Sequence, residues 1–138
     1  MKRPGIALVS FLIAVLASAC ASAQPVTEPV SVIEAFYEAV NDGDLDTAMG
    51  FVDDDASFSI RGGPTTATYT GAVEIQDYLQ QVIDRNSQHE LIDLMLESDT
   101  VTWVLNMTNT LGKSSGVEEA VVQDGKIVSF KGNVIKES

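Results

Sequence analysis

From Ser31 the apolar residues recur at helical spacing. Ile33, Phe36, Tyr37 and Val40 fall at i, i+3, i+4 and i+7, which predicts one buried helix face. Ser31 with Glu34 fits a capping box at the start. Asn41-Asp42-Gly43 predicts the stop, because glycine takes up the left-handed conformation that ends many helices. Asp44 is then the expected cap of a second, shorter helix with Leu45, Ala48, Met49 and Val52 on one side. After Asp53-Asp54-Asp55 the period shortens to two: Ala56, Phe58 and Ile60 alternate with Ser57 and Ser59, as in a half-buried strand, until Arg61-Gly62-Gly63-Pro64 interrupts it. A brief strand through Ala67-Thr68-Tyr69 leads to Gly71. Ile75, Tyr78, Leu79 and Val82 then mark a third helix, whose acidic start (Glu74, Asp77) and basic end (Arg85) suit the helix dipole.

The remainder reads as strands. Residues 90–97 are rich in Leu, Ile and Met, with Asp93 between Leu91 and Met95 on one face and Ile92, Leu94 and Leu96 on the other. Residues 100–110 set Val101, Trp103, Leu105 and Met107 against a mixed face of Thr102, Val104, Asn106, Thr108 and Thr110. Residues 112–116 read as a hairpin connection, and Asp124-Gly125 between Val121-Val122 and Ile127-Val128 is the strongest two-residue hairpin signal. Three helices in the N-terminal half, with strands interleaved and then joined by hairpins, predict an α+β domain with a mainly antiparallel sheet.

Ahead of this domain stand Met1-Lys2-Arg3 and an apolar run from Ile6 to Leu16, too short for a membrane span and patterned as an export signal. Two processing outcomes are open. Ala21-Ser22-Ala23 is a small-x-small cleavage site, whereas Leu16-Ala17-Ser18-Ala19-Cys20 resembles a lipobox in which Cys20 becomes lipidated. The layout is therefore a signal over 1–23 (1–19 for a lipoprotein), a Pro-containing tether over 24–30, and the domain over 31–136. The expected location is extracytoplasmic, either secreted or anchored to a membrane by the lipid at Cys20.

Charge narrows the partners. Against 20 acidic residues there are 8 basic ones, a formal net charge of −12, so phosphate backbones are repelled and nucleic-acid binding is not expected. One Cys and one His supply neither an internal disulfide nor a Cys/His zinc site, and no cofactor or metal is expected. Asp42-x-Asp44-x-Asp46 imitates a calcium loop, but Thr47 stands where that loop needs glycine; helix ending and capping account for it.

The element order, together with residues 32–46 (VIEAFYEAVNDGDLD), the Asp54-Asp55-Ala56 strand entry, Gly71 with Ile75, and Asp124-Gly125-Lys126-Ile127-Val128, resembles the nuclear transport factor 2-like superfamily, in particular its SnoaL-like branch. The resemblance covers nearly all of the chain after the leader. It implies a cone, in which a curved sheet wraps around helices and leaves a pocket at the wide end, often in a homodimer. Its motifs belong to the fold, and the superfamily spans ketosteroid isomerases, polyketide cyclases, epoxide hydrolases and members without known chemistry.

By that resemblance Phe36 occupies the place of the isomerases' oxyanion tyrosine and Ile60 that of their general base, and neither side chain donates or moves a proton. Glu118 falls near the isomerases' second oxyanion acid. The Asp-Arg-Asp set of the epoxide hydrolases finds no match, since Arg61 and Arg85 read as loop and helix-end residues. The expected function is accordingly an exported domain that binds a small hydrophobic molecule or associates with itself, with no assignable catalytic set. The alternative is a SnoaL-like enzyme that transfers a proton on a carbonyl-bearing substrate through Glu118 or Asp93. Phe36, Tyr78, Trp103, Glu118 and Phe130 are the expected pocket residues.

For several of these the plainer reading is preferred on residue type: Glu118 solvated beside Glu119, Asp93 at a wet edge, His89 at the surface between Gln88 and Glu90, and the aromatics as ordinary core. The mixed face of residues 102–110 is the expected seat of a twin subunit.

Overall fold

A computed structural model describes residues 26–62 and 66–137. The export signal, the Ala23 cleavage site and Cys20 lie outside the described residues. Three helices, α1 (Pro29–Asn41), α2 (Leu45–Met49) and α3 (Ala72–Asp84), share the chain with six strands, β1 (Val52–Arg61), β2 (Ala67–Thr70), β3 (Gln88–Glu97), β4 (Thr100–Asn109), β5 (Gly112–Gln123) and β6 (Lys126–Glu137). The strands form one open, curved sheet in the order β2-β1-β6-β5-β4-β3. Every pairing is antiparallel except β1 with β6. The α+β expectation and the N-terminal-half helices therefore stand, with one parallel pair in the middle of the sheet.

Helix α1 buries Val32, Ile33, Phe36, Tyr37, Ala39 and Val40 against the concave side of the sheet. It begins at Pro29, two residues before Ser31, with Glu28 as an N-cap that makes no side-chain capping bond. Proline at the first helical position has its φ preset and lacks an N–H that would go unbonded there anyway, so the helix starts without the Ser31/Glu34 box. Asp44 caps α2 as expected: its carboxylate accepts from the Thr47 N–H at 3.1 Å and the Thr47 hydroxyl at 2.6 Å.

Two strand limits differ from the expectation. Strand β1 starts at Val52 and carries Asp53-Asp54-Asp55 through an irregularity between Val52 and Ser57. The β4–β5 turn is tighter than residues 112–116, with Asn109 already paired to Gly112. Strand β3 holds a bulge between Ile92 and Met95, where Asp93 has φ 54°.

One row of the sheet positions the site. Trp103 on β4 pairs with Glu118 on β5, Glu118 with Gly132 on β6, and Gly132 with Ile60 on β1. All four lie on the concave side, under α1 and α3.

Candidate functional site

The concave side of the sheet and the helices enclose a cavity of about 90 Å³. One water needs roughly 10–15 Å³ on the same scale, so there is room for several waters or a small organic group. Phe36, Val40, Phe58, Leu79, Val82 and Phe130 supply much of an apolar wall, in which Glu118, Tyr78 and His89 are the titratable groups besides Tyr37.

Glu118 is 9% exposed. Alternation along β5 turns it inward with Ala120 and Val122, and outward-facing Glu119 takes the solvated role instead, 3.5 Å from Lys131. The reading of Glu118 as a surface carboxylate is therefore corrected. Burial would be prohibitive for a bare carboxylate, and two features soften it. The buried Tyr37 hydroxyl donates a hydrogen bond to Glu118 Oε2. Gly132, opposite on β6, leaves space for the other oxygen: a Cβ there would stand 3.2 Å from both Glu118 Oε1 and Ile60 Cδ1.

Desolvation pushes the Glu118 carboxyl up to about 7, with the Tyr37 hydroxyl and the Trp103 indole N–H pulling in the opposite direction. Trp103 Nε1 makes no hydrogen bond of normal geometry, so its influence on Glu118 is that of a nearby N–H at longer reach. Burial, and then the Glu118 charge, hold Tyr37 well above the usual phenol range. The pair therefore has one labile proton near neutral pH, and it belongs to Glu118. Tyr37 keeps its proton and steadies the anion.

His89 lines the same cavity, and this corrects its surface reading. It pairs with Met107 and lies one alternation step from inward-facing Leu91, which turns its ring toward Tyr37 at a centroid distance of 5.1 Å. Desolvation lowers its pKa to about 4, so the imidazole is neutral. Tyr78 also faces the cavity and stacks on Tyr69 at 4.5 Å, with its pKa raised by burial first and then by the Glu118 charge.

Of the expected pocket residues, Phe36, Tyr78, Glu118 and Phe130 line the cavity together. Trp103 does not. It is 2% exposed and packs edge-on to Tyr37 at 6.0 Å. Asp93 is exposed and lies away from the cavity, because the left-handed residue in the β3 bulge rotates its side chain out of the alternation that Leu91 sets. Arg61 ends β1 and Arg85 caps α3, and neither lines the cavity. Among the described residues no group of His, Cys, Asp and Glu is arranged to hold a metal ion.

Tyr37 is the cavity residue that the sequence pattern does not single out. It was legible as a buried phenol on the α1 stripe, and a buried Tyr hydroxyl needs a partner. Its partner lies 81 residues away and depends on sheet register.

An open curved sheet over three helices, with a carboxyl–phenol pair inside an apolar cavity, defines a cone-type α+β domain with an internal cavity. The SnoaL-like domain family matches residues 33–130, and the chain belongs to it. No curated protein matches the chain significantly. Similar solved structures include a putative ketosteroid isomerase from Kribbella flavida (14% identity, 78% of each chain covered, TM-score 0.68). An LEH-like epoxide hydrolase of M. tuberculosis is similar at 17% identity, covering 79% of this chain and 84% of that one, with a TM-score of 0.66. The epoxide hydrolase/cyclase-like enzyme SalBIII of salinomycin pyran ring formation is similar at 19% identity, covering 78% and 90%, with a TM-score of 0.67. At these identities the likeness is one of fold.

Proposed function

We propose that the chain is an exported SnoaL-like domain that takes a small, mainly apolar, carbonyl-bearing molecule into its cavity, where Glu118 exchanges a proton with it. One observation carries this reading: a buried carboxyl poised at about 7, bonded through Oε2 to Tyr37, with Oε1 over cavity-lining Gly132. As a carboxylate, Glu118 removes a proton from carbon next to the substrate carbonyl, and the C–H electron pair passes to the carbonyl oxygen as an enolate. The proton then returns from the carboxylic acid to the same or another carbon, and the carboxylate is restored. Tyr37 holds the carboxyl in place and disperses its charge, while the apolar wall excludes bulk water.

Deuterium uptake from D2O into a panel of cyclic ketones tests this directly. Uptake by the wild type that falls by about 10²–10⁴-fold in Glu118→Gln is the expected result. No uptake with any ketone, or uptake indifferent to Glu118→Gln, would refute it. The apolar lining also favours a second reading, binding without turnover. Under that reading lipophilic compounds raise the melting temperature of the folded protein and none exchanges.

Export rests on the leader pattern, and mass spectrometry of the native N-terminus distinguishes a lipidated Cys20 from cleavage after Ala23. The outer face of β4, where Thr102 and Val104 are half-buried and Asn106 and Thr108 exposed, supports pairing with a second copy. Sedimentation that gives a monomer at high concentration would remove that element.

A further inference from the structure

His89 is tied to Asn41 by three hydrogen bonds. The Asn41 Nδ2 amide donates to the His89 carbonyl at 2.9 Å, and the His89 backbone N–H donates to Asn41 Oδ1 at 2.8 Å. These two bonds settle which end of the Asn41 amide is oxygen, because exchanging the ends would set N–H against N–H and carbonyl against carbonyl. The third contact then has a single solution. His89 Nδ1 lies 2.9 Å from that same Asn41 Oδ1, an acceptor only, so Nδ1 must carry the proton. In a neutral imidazole the remaining nitrogen, Nε2, is bare, and it makes no hydrogen bond among the described residues.

Asn41 ends α1, while His89 opens β3 in the cavity wall. The helix terminus is thus joined to the strand edge by a side chain that also sets the tautomer of the histidine.

We infer that His89 offers Nε2 to the cavity as a fixed hydrogen-bond acceptor, positioned by Asn41, so that the site selects an apolar ligand carrying an O–H or N–H donor, such as a phenol, enol or alcohol. This rests on the reading of the cavity as a ligand site but not on proton transfer by Glu118. The two polar walls then play different parts. Glu118, with Tyr37 attached, handles the carbonyl end, and His89 receives the hydroxyl end. A hydroxylated carbonyl compound satisfies both, whereas a purely hydrocarbon ligand leaves Nε2 desolvated and unpaired.

Nitrogen-15 correlation spectra of the ring at neutral pH read the tautomer in the wild-type protein without any substitution. A proton on Nδ1 and a bare Nε2 are expected, with the two forms mixing in Asn41→Ala. A proton on Nε2, or two equally populated tautomers in the wild type, would overturn the inference. For ligand choice, phenol and toluene are titrated into wild type and His89→Phe, a variant that keeps an aromatic ring in the wall. The phenol-to-toluene affinity ratio is expected to fall on the order of tenfold in the variant, the size of one hydrogen bond. An unchanged ratio contradicts the inference, as does failure of both probes to bind. Ketone exchange indifferent to Glu118→Gln, with the ratio still falling, would instead remove only the proton-transfer reading.

Discussion

Glu118 and His89 sit in one cavity and are shifted by the same cause in opposite directions. Desolvation disfavours charge, so it raises the carboxyl to about 7 and lowers the imidazole to about 4. Glu118 therefore contributes stability that is present below its unfolded value of 4.5 and lost as pH rises through about 7. His89 does the reverse, contributing stability above 6.5 that is lost as pH falls through about 4. The two slopes overlap and partly cancel in the wild type. Glu118→Gln isolates the first, since glutamine keeps the shape and still accepts from Tyr37. Relative to wild type, this variant is expected to gain about 3 kcal/mol of unfolding free energy between pH 4.5 and 7, a figure that follows from the size of the Glu118 shift. Chemical denaturation at several pH values reads the gain, and a difference independent of pH would show that Glu118 is not desolvated. Tyr37→Phe removes a donor that favours the anion, so the Glu118 carboxyl is expected to titrate higher in that variant, as carboxyl NMR can follow.

At the level of elements, strand irregularities decide which carboxylates reach the interior. Asp93 and Glu118 were equal candidates by alternation alone. The β3 bulge turns Asp93 to solvent at φ 54°, and regular pairing through residues 117–121 on β5 keeps Glu118 inward. Asp93→Gly is accordingly expected to leave turnover unchanged and stability equal or higher by up to about 1 kcal/mol, since glycine adopts a left-handed φ without steric cost. Lost activity would return Asp93 to the site. Gly132→Ala is the opposite case. Its new Cβ would meet Glu118 Oε1 and Ile60 Cδ1 at 3.2 Å, so a destabilisation of about 1–3 kcal/mol is expected, along with a displaced carboxyl titration. Unaltered stability and titration would mean that the row has slack.

This is also where legibility in the sequence ends. Period 3.6 in α1 and α3, the Asp44 cap and the Asp124-Gly125 turn are local, and each is present in the structure. The β3 bulge and the inward turn of His89 depend on cross-strand register. The Ser31/Glu34 box gave way to a proline start because two local signals competed two residues apart. The Phe36 and Ile60 positions read as chemically inert, and both do line the cavity. The carboxyl–phenol pair sits one residue along from Phe36, at Tyr37, and two strands across from Ile60 in the same row, at Glu118, a pairing that only the folded sheet brings together.

Taken whole, the molecule is a curved sheet covered by helices over a small apolar space, onto which Tyr37, Tyr78, His89 and Glu118 face. The chain is strongly acidic, and among the described residues one carboxyl, that of Glu118, is buried and resists ionisation. Carbon-13 titration of the Glu118 carboxyl from pH 4 to 9, assigned by its disappearance in Glu118→Gln, reads that contrast. A midpoint at about 7 is expected. A midpoint at the ordinary carboxylate value of 4.5 would contradict the account, because it would mean that the cavity admits water freely and that Glu118 has no reserve of protons to exchange at neutral pH.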